Sequence, residues 1–150
     1  MFLLGSKIKV LIQIKEFTFI ILNTFASMQF TYNKHEKLKS RKLIKQLFED
    51  GKAVTVFPLR LIYLKKDFGA KNPVKTSVSV SKRNFKLAVD RNRIKRLMRE
   101  VYRLNKPFLY KNVSDKYIFM FIYLGKEEIP YQKLNDKMIK IINLFLKNTQ

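Results

Sequence analysis

The stretch that most limits the fold is "KYIFMFIYLG", in which every residue from Tyr117 to Leu124 is apolar or aromatic. A half-exposed strand alternates apolar and polar residues, whereas a run of this kind reads as a strand buried on both faces. A strand covered on both sides needs helices to cover it, and the rest of the chain offers them. "SRKLIKQLFED" has Leu43, Ile44, Leu47 and Phe48 at helical spacing, with Ser40 as N-cap and Gly51 at the C-terminal glycine position. "AVTVFPLRLIYLK" reads as strand, with Pro58 marking an edge or a bend between two shorter strands. "KKDFGAKNP" is a turn and "VKTSVSVS" a further, partly alternating strand region. A long helix is expected from Leu87 to about Asn105, with Pro107 stopping it. The last segment carries a helical stripe of Leu134, Met138, Ile141, Ile142 and Phe145. The order helix, strands, helix, strand, helix predicts one α+β domain, a sandwich of a sheet with helices.

Charge narrows the partners. The 150 residues include 32 Lys and Arg against 11 Asp and Glu, a net charge of +21. Such an excess repels itself in the compact state and normally serves a polyanion, nucleic acid first and an anionic membrane surface second. Cys is absent and His35 is the only histidine, which excludes disulfides, thiolate chemistry and multi-histidine metal sites. No paired-carboxylate or Ser/His/Asp set emerges, so no catalytic residue is expected in the protein. The adjacent acids Glu127-Glu128 read as a solvated turn before the last helix.

Residues 1–27 stand apart as an apolar N-terminal extension. Lys7, Lys9, Lys15 and Glu16 interrupt them, so they fall short of the about 20 apolar residues of a membrane span. They read as a signal peptide cut near Ala26-Ser27, as translated upstream sequence, or as a disordered extension. The preferred reading starts the native chain at Met28, with one domain over 28–150.

The positive charge is concentrated in "DRNRIKRLMREVYR", Asp90 to Arg103, where five Arg and one Lys meet two acids. On a helical wheel with Arg91 at zero, Leu104, Leu97, Val101, Ile94 and Met98 span about 220° to 340°. Arg91, Lys95, Arg99, Asn92, Arg103 and Arg96 fill about 0° to 140°. One face is expected in the core and the other forms a ridge of cations. A merely solvated helix would intersperse Glu, and the preference for Arg suits the planar recognition of phosphate oxygens. Tyr102 flanks the ridge, either to stack on a base or to pack in the core. A DNA-reading helix-turn-helix would need a second helix just before this one, where strand-like "VKTSVSVS" stands instead.

"SVSVSK" at Ser77 to Lys82 followed by "AVDRNRIKRLMRE" at Ala88 to Glu100 resembles the signature of the bacterial ribonuclease P protein component, with Arg91-Asn92-Arg93 as its hallmark triplet. "KLKSRKLIKQLFEDGK" is similar to that family's first helix, and the likeness spans about Tyr32 to Asn148. The family's early "F-x-K" appears as Tyr32-Asn33-Lys34. The resemblance implies an αβββαβα sandwich with a left-handed βαβ crossover, of the ribosomal protein S5 domain 2-like class. It implies a cytoplasmic subunit of an endoribonuclease, bound as one protein to one catalytic RNA, that assists removal of the 5′ leader from precursor transfer RNA. The RNA and the substrate would hold the Mg2+. Carried over to this chain, RNA binding falls to Arg91, Asn92, Arg93, Lys95, Arg96, Arg99 and Arg103, with Lys82, Arg83 and Lys86 beside them. Phe48, Tyr63 and Tyr32 are the candidates for a cleft between the first helix and the sheet that takes the leader; for Phe48 and Tyr63, core burial is the alternative.

Overall fold

The computed structural model describes residues 31–150. The extension and the expected start at Met28 lie outside them. A short 3-10 turn, Lys34–Glu36, precedes helix α1, Arg41–Asp50. Strands β1 (Lys52–Val56), β2 (Leu59–Lys65) and β3 (Val74–Val80) follow. Helix α2 (Ala88–Asn112), strand β4 (Tyr117–Tyr123) and helix α3 (Tyr131–Thr149) complete the expected αβββαβα order.

The sheet runs β1-β2-β4-β3, with β2 antiparallel to both of its neighbours, β1 and β4, and β3 parallel to β4. A parallel pair needs a crossover, and α2 supplies it. Pro58 sits in the bend of the β1–β2 hairpin, whose register closes at Val56 opposite Leu59 around a cis Phe57-Pro58 peptide. Its carbonyl accepts from Leu124 N–H at 2.7 Å, which ties the hairpin to the end of β4.

β4 is central and apolar on both sides because both its faces are covered. Tyr117, Phe119, Phe121 and Tyr123 enter the large core shared with α2 and α3. Ile118, Met120 and Ile122 join the smaller cluster under α1, with Leu38, Leu47 and Ile62. Across register, Ile122 faces Arg60 and Ser79, and Arg60 faces Thr55. Thr55 and Arg60 are exposed, so the α1 side of the sheet continues as an open row beyond the helix-covered cluster.

The hydroxyl of Ser40 accepts from Leu43 N–H at 3.4 Å, as a cap should. Gly51 is required for a different reason from the expected one. Its φ of −73° is not left-handed, but an added Cβ would stand 2.2 Å from the Leu47 carbonyl oxygen and 2.9 Å from Ile62 Cγ2.

Pro107 does not end α2, which continues to Asn112. The proline withholds one N–H from the helical ladder, a cost of about 3 kcal/mol in an isolated helix. Tertiary packing of the last turns offsets it: Lys106 and Leu109 are buried, and Asn105 Nδ2 donates to Asn135 Oδ1 on α3 at 2.8 Å.

Candidate nucleic-acid interface

The burial of α2 decides which of its cations can meet a partner. Ile94, Met98, Val101, Tyr102, Lys106 and Leu109 are buried. On the wheel these occupy about 280° through 0° to 60°, an arc turned from the expected one by about 70°. Leu104, assigned to the apolar face, is exposed, and Tyr102 lies in the core rather than on the ridge. The rotation also brings Arg91 and Lys95 to the margin of the core, where both are partly buried.

The three residues of the hallmark triplet therefore sit in different surroundings. Arg91 donates through one guanidinium nitrogen to the carbonyls of Phe85 at 2.8 Å and Lys86 at 2.7 Å. It fastens the loop that leads into α2, so replacing it is a structural change as well as a loss of charge. Arg93 pairs with Glu128, Nε to Oε2 at 2.6 Å. Glu128 was expected in a solvated turn; instead it holds the loop before α3 against the start of α2. Asn84 reinforces the same junction, its Nδ2 donating to Leu124 O at 3.0 Å and Gly125 O at 3.2 Å. Arg103 forms a double contact with Glu100, Nε to Oε2 at 3.0 Å and Nη2 to Oε1 at 2.6 Å. Those hydrogen bonds hold the Glu100 carboxyl below its ordinary pKa.

Lys95, Arg96 and Arg99 differ from these: among the described residues none of them enters an ion pair. Asn92, Arg96 and Arg99 are exposed, as are Lys82, Arg83 and Lys86 in the preceding loop. The ridge that remains open to an outside anion is thus narrower than the run of cations in the chain.

A buried polar cluster lies at the other end of α2. Lys106 and Glu36 are each 3% exposed, and Lys106 Nζ donates to Glu36 Oε1 at 2.7 Å and to the Thr31 carbonyl. Tyr110 OH donates to the same Oε1 at 3.0 Å, and Asn33 N–H to Oε2 at 2.7 Å. This network pins residues 31–36 to α2. Tyr32 is held within the pinned segment, donating to Thr76 O at 2.7 Å and meeting Tyr102 edge-on at 5.8 Å. Burial pushes its phenol up to about 12, although the charge of Arg99 pulls the other way, so it stays a protonated donor.

The three cleft candidates separate accordingly. Phe48 is 54% exposed on α1, one residue beyond fully buried Leu47. Tyr63 is a correction: it is 5% exposed on the sheet face opposite α1, packed 4.8 Å from Phe145. Strand alternation accounts for this, since Ile62 and Leu64 join the α1 cluster and Tyr63 must point the other way. Tyr32 is also displaced from the expected cleft and packs against the large core at the β3 edge. The open row of Thr55, Arg60, Ile122 and Ser79 was missed. Its only sequence signal is the polar Arg60 inside an apolar strand.

Among the described residues no group of three or more His, Asp or Glu comes together in a way that could hold a metal ion, and no helix is long and apolar enough to cross a membrane.

The family model described as Ribonuclease P matches residues 32–145. The chain belongs to the ribonuclease P protein family. The ribonuclease P protein component of Porphyromonas gingivalis is 43% identical over 106 residues, which cover 67% of this chain and 75% of that protein. That of Dictyoglomus thermophilum is 33% identical over 114 residues, covering 75% of this chain and 89% of the relative. The fold is that of the solved RNase P protein of Staphylococcus aureus, with a TM-score of 0.60 at 16% identity over 73% of this chain and 94% of that one. It is likewise that of the Thermotoga maritima protein, with a TM-score of 0.59 at 19% identity over 72% and 96%. As a member of the ribonuclease P protein family, the chain is a protein component of an endoribonuclease.

Proposed function

We propose that this chain binds the catalytic RNA of ribonuclease P through the exposed side of α2 and its leading loop. The α1 side of the sheet then holds the single-stranded 5′ leader of precursor transfer RNA while the leader is removed. The observation that carries the reading is the run of Lys95, Arg96 and Arg99, which forms no ion pair among the described residues and stands on one long helix beside exposed Lys82, Arg83 and Lys86. Phosphate oxygens neutralise such a run, and counterion release from the RNA drives the association. The leader passes Phe48 and the Thr55-Arg60-Ile122-Ser79 row, where a ring can stack on a base and Arg60 can meet a phosphate.

The bond chemistry belongs to the RNA subunit, whose Mg2+ ions activate water at the scissile phosphate. The distribution of acids supports this division. Glu36, Glu49, Asp67, Glu100, Asp115 and Glu128 are each committed to a Lys or Arg, so they do not converge as metal ligands. The complex has one protein per RNA and works in the cytoplasm.

The test reconstitutes the chain with the candidate catalytic RNA of its own genome and measures affinity for leader-bearing and leaderless substrate. The protein should strengthen binding of the leader-bearing substrate more than the other. The Arg96→Glu/Arg99→Glu variant should keep its unfolding midpoint, while the log–log salt slope of RNA binding falls by about 1.4 to 1.8, the share of two phosphate contacts. Equal enhancement of both substrates, or cleavage by RNA-free protein, would overturn the proposal.

A further inference from the structure

We infer that the hollow of about 420 Å3 lined by Lys34, Lys37, Lys39 and Lys75 is a second binding site for an RNA phosphate backbone, separate from the α2 ridge and from the α1 groove. The inference rests on the RNA-binding reading above and extends it to residues outside the resemblance's RNA-contact set.

The hollow is built into the fold. Lys37 bridges Thr76 as a short parallel extension of β3, and Leu38 N–H donates to Thr76 O at 2.9 Å. Along this segment, Glu36 and Leu38 turn inward while Lys34, Lys37 and Lys39 remain exposed. Lys75 enters from β3, and Leu43 of α1 and Ala70 of the β2–β3 loop complete the wall. Phe48 does not line it.

The charges there are placed but not cancelled. Glu36, the acid nearest in sequence, is spent on buried Lys106. No carboxylate lines the hollow. Among the described residues, none of the four lysines takes part in an ion pair. Two are steered instead by aromatic faces: Lys37 Nζ stands 5.3 Å from the Tyr32 ring centre and Lys75 Nζ 5.0 Å from that of Phe68. A cation over a ring is oriented while keeping its full charge. Four ammonium groups around one concavity repel one another, and a polyanion relieves that repulsion. Tyr32, the ring under Lys37, is itself held against α2 by its edge-on contact with Tyr102 at 5.8 Å.

The phosphates could come from the catalytic RNA or from the precursor, and separate binding assays with each tell them apart. The full chain and its Lys34→Ala/Lys39→Ala/Lys75→Ala variant are titrated with each RNA between 50 and 200 mM salt. The expected result is a log–log slope shallower by about 2 to 3 for at least one RNA, corresponding to three lost phosphate contacts. If the unfolding midpoint shows that Lys75→Ala disturbs β3, the exposed pair Lys34→Ala/Lys39→Ala decides, with an expected change of about 1.4 to 1.8. An unchanged slope with both RNAs, in a chain that still loses affinity on Arg96→Glu/Arg99→Glu, overturns the hollow alone. An unmodified chain that binds neither RNA overturns the RNA-binding reading beneath it.

Discussion

The first turns of α2 and its last turns handle positive charge in opposite ways. Lys95, Arg96 and Arg99 keep their charge available by forming no ion pair among the described residues. Lys106 is as buried as a core leucine, and its charge is consumed by Glu36, the Thr31 carbonyl and the neighbouring Tyr110 network. The difference lies not in residue type but in whether the fold brings an acid to the site. A buried ammonium without its partner would cost several kcal/mol, whereas an exposed one costs almost nothing. One part of the helix is therefore committed to holding the chain together, and the other is left to bind.

Replacing Lys106 tests the committed end and should have the largest effect. Lys106→Ala leaves the Glu36 carboxylate buried and unmatched, and urea unfolding should show a loss of about 3–5 kcal/mol. Glu36→Gln/Lys106→Met should recover most of it. A single variant as stable as the parent would erase the contrast between the two ends.

A second pair of residues sharpens the contrast on the sheet. Tyr63→Ala empties a core site and should cost about 3–5 kcal/mol of stability, as large-to-small aromatic changes do. Phe48→Ala should leave stability within about 0.5 kcal/mol. It should instead remove about 1–3 kcal/mol from the preference for leader-bearing substrate, the worth of one stacked base. Parallel unfolding and binding curves would detect a reversal of these roles.

The smallest effect is expected at Arg93, which stands between the two behaviours. Glu128→Gln should change stability by less than about 1 kcal/mol, the range of exposed ion pairs. With Glu128 no longer competing for Arg93, RNA affinity at low salt should rise by up to about fivefold. The gain should disappear at high salt; weaker binding at low salt would mean that Glu128 serves RNA binding by positioning the loop.

These contrasts mark how far the chain could be read before its structure. Local signals were sound. The Ser40 cap, the bend at Pro58, the two-faced burial of β4 and the stripe on α3 each depend on neighbours within a few residues. The misreadings occur where partners are distant. Lys106 meets Glu36 across 70 residues, and Arg93 meets Glu128 across 35. Periodicity cannot register either pairing, so it places the buried arc of α2 too far toward Leu104 and leaves Glu128 in solvent. Pro107 misled for a related reason, because tertiary packing outweighs local helix propensity. Tyr63 was ambiguous because an aromatic on a strand covered on both faces is equally at home on either one.

The sheet order has a consequence for synthesis. The β1–β2 hairpin and β3 have no shared edge until β4 is laid between them, although β4 is the last strand made. Because the chain emerges N-terminal end first, every cation of the ridge leaves the ribosome before the strand that joins the two parts of the sheet. During that interval the growing polypeptide is a strongly basic, unassembled segment in the presence of other nucleic acids. Long-range pairing of this kind slows folding and prolongs such exposure. The arrival of seven apolar residues, Tyr117–Tyr123, turns a nonspecific polycation into a shaped surface.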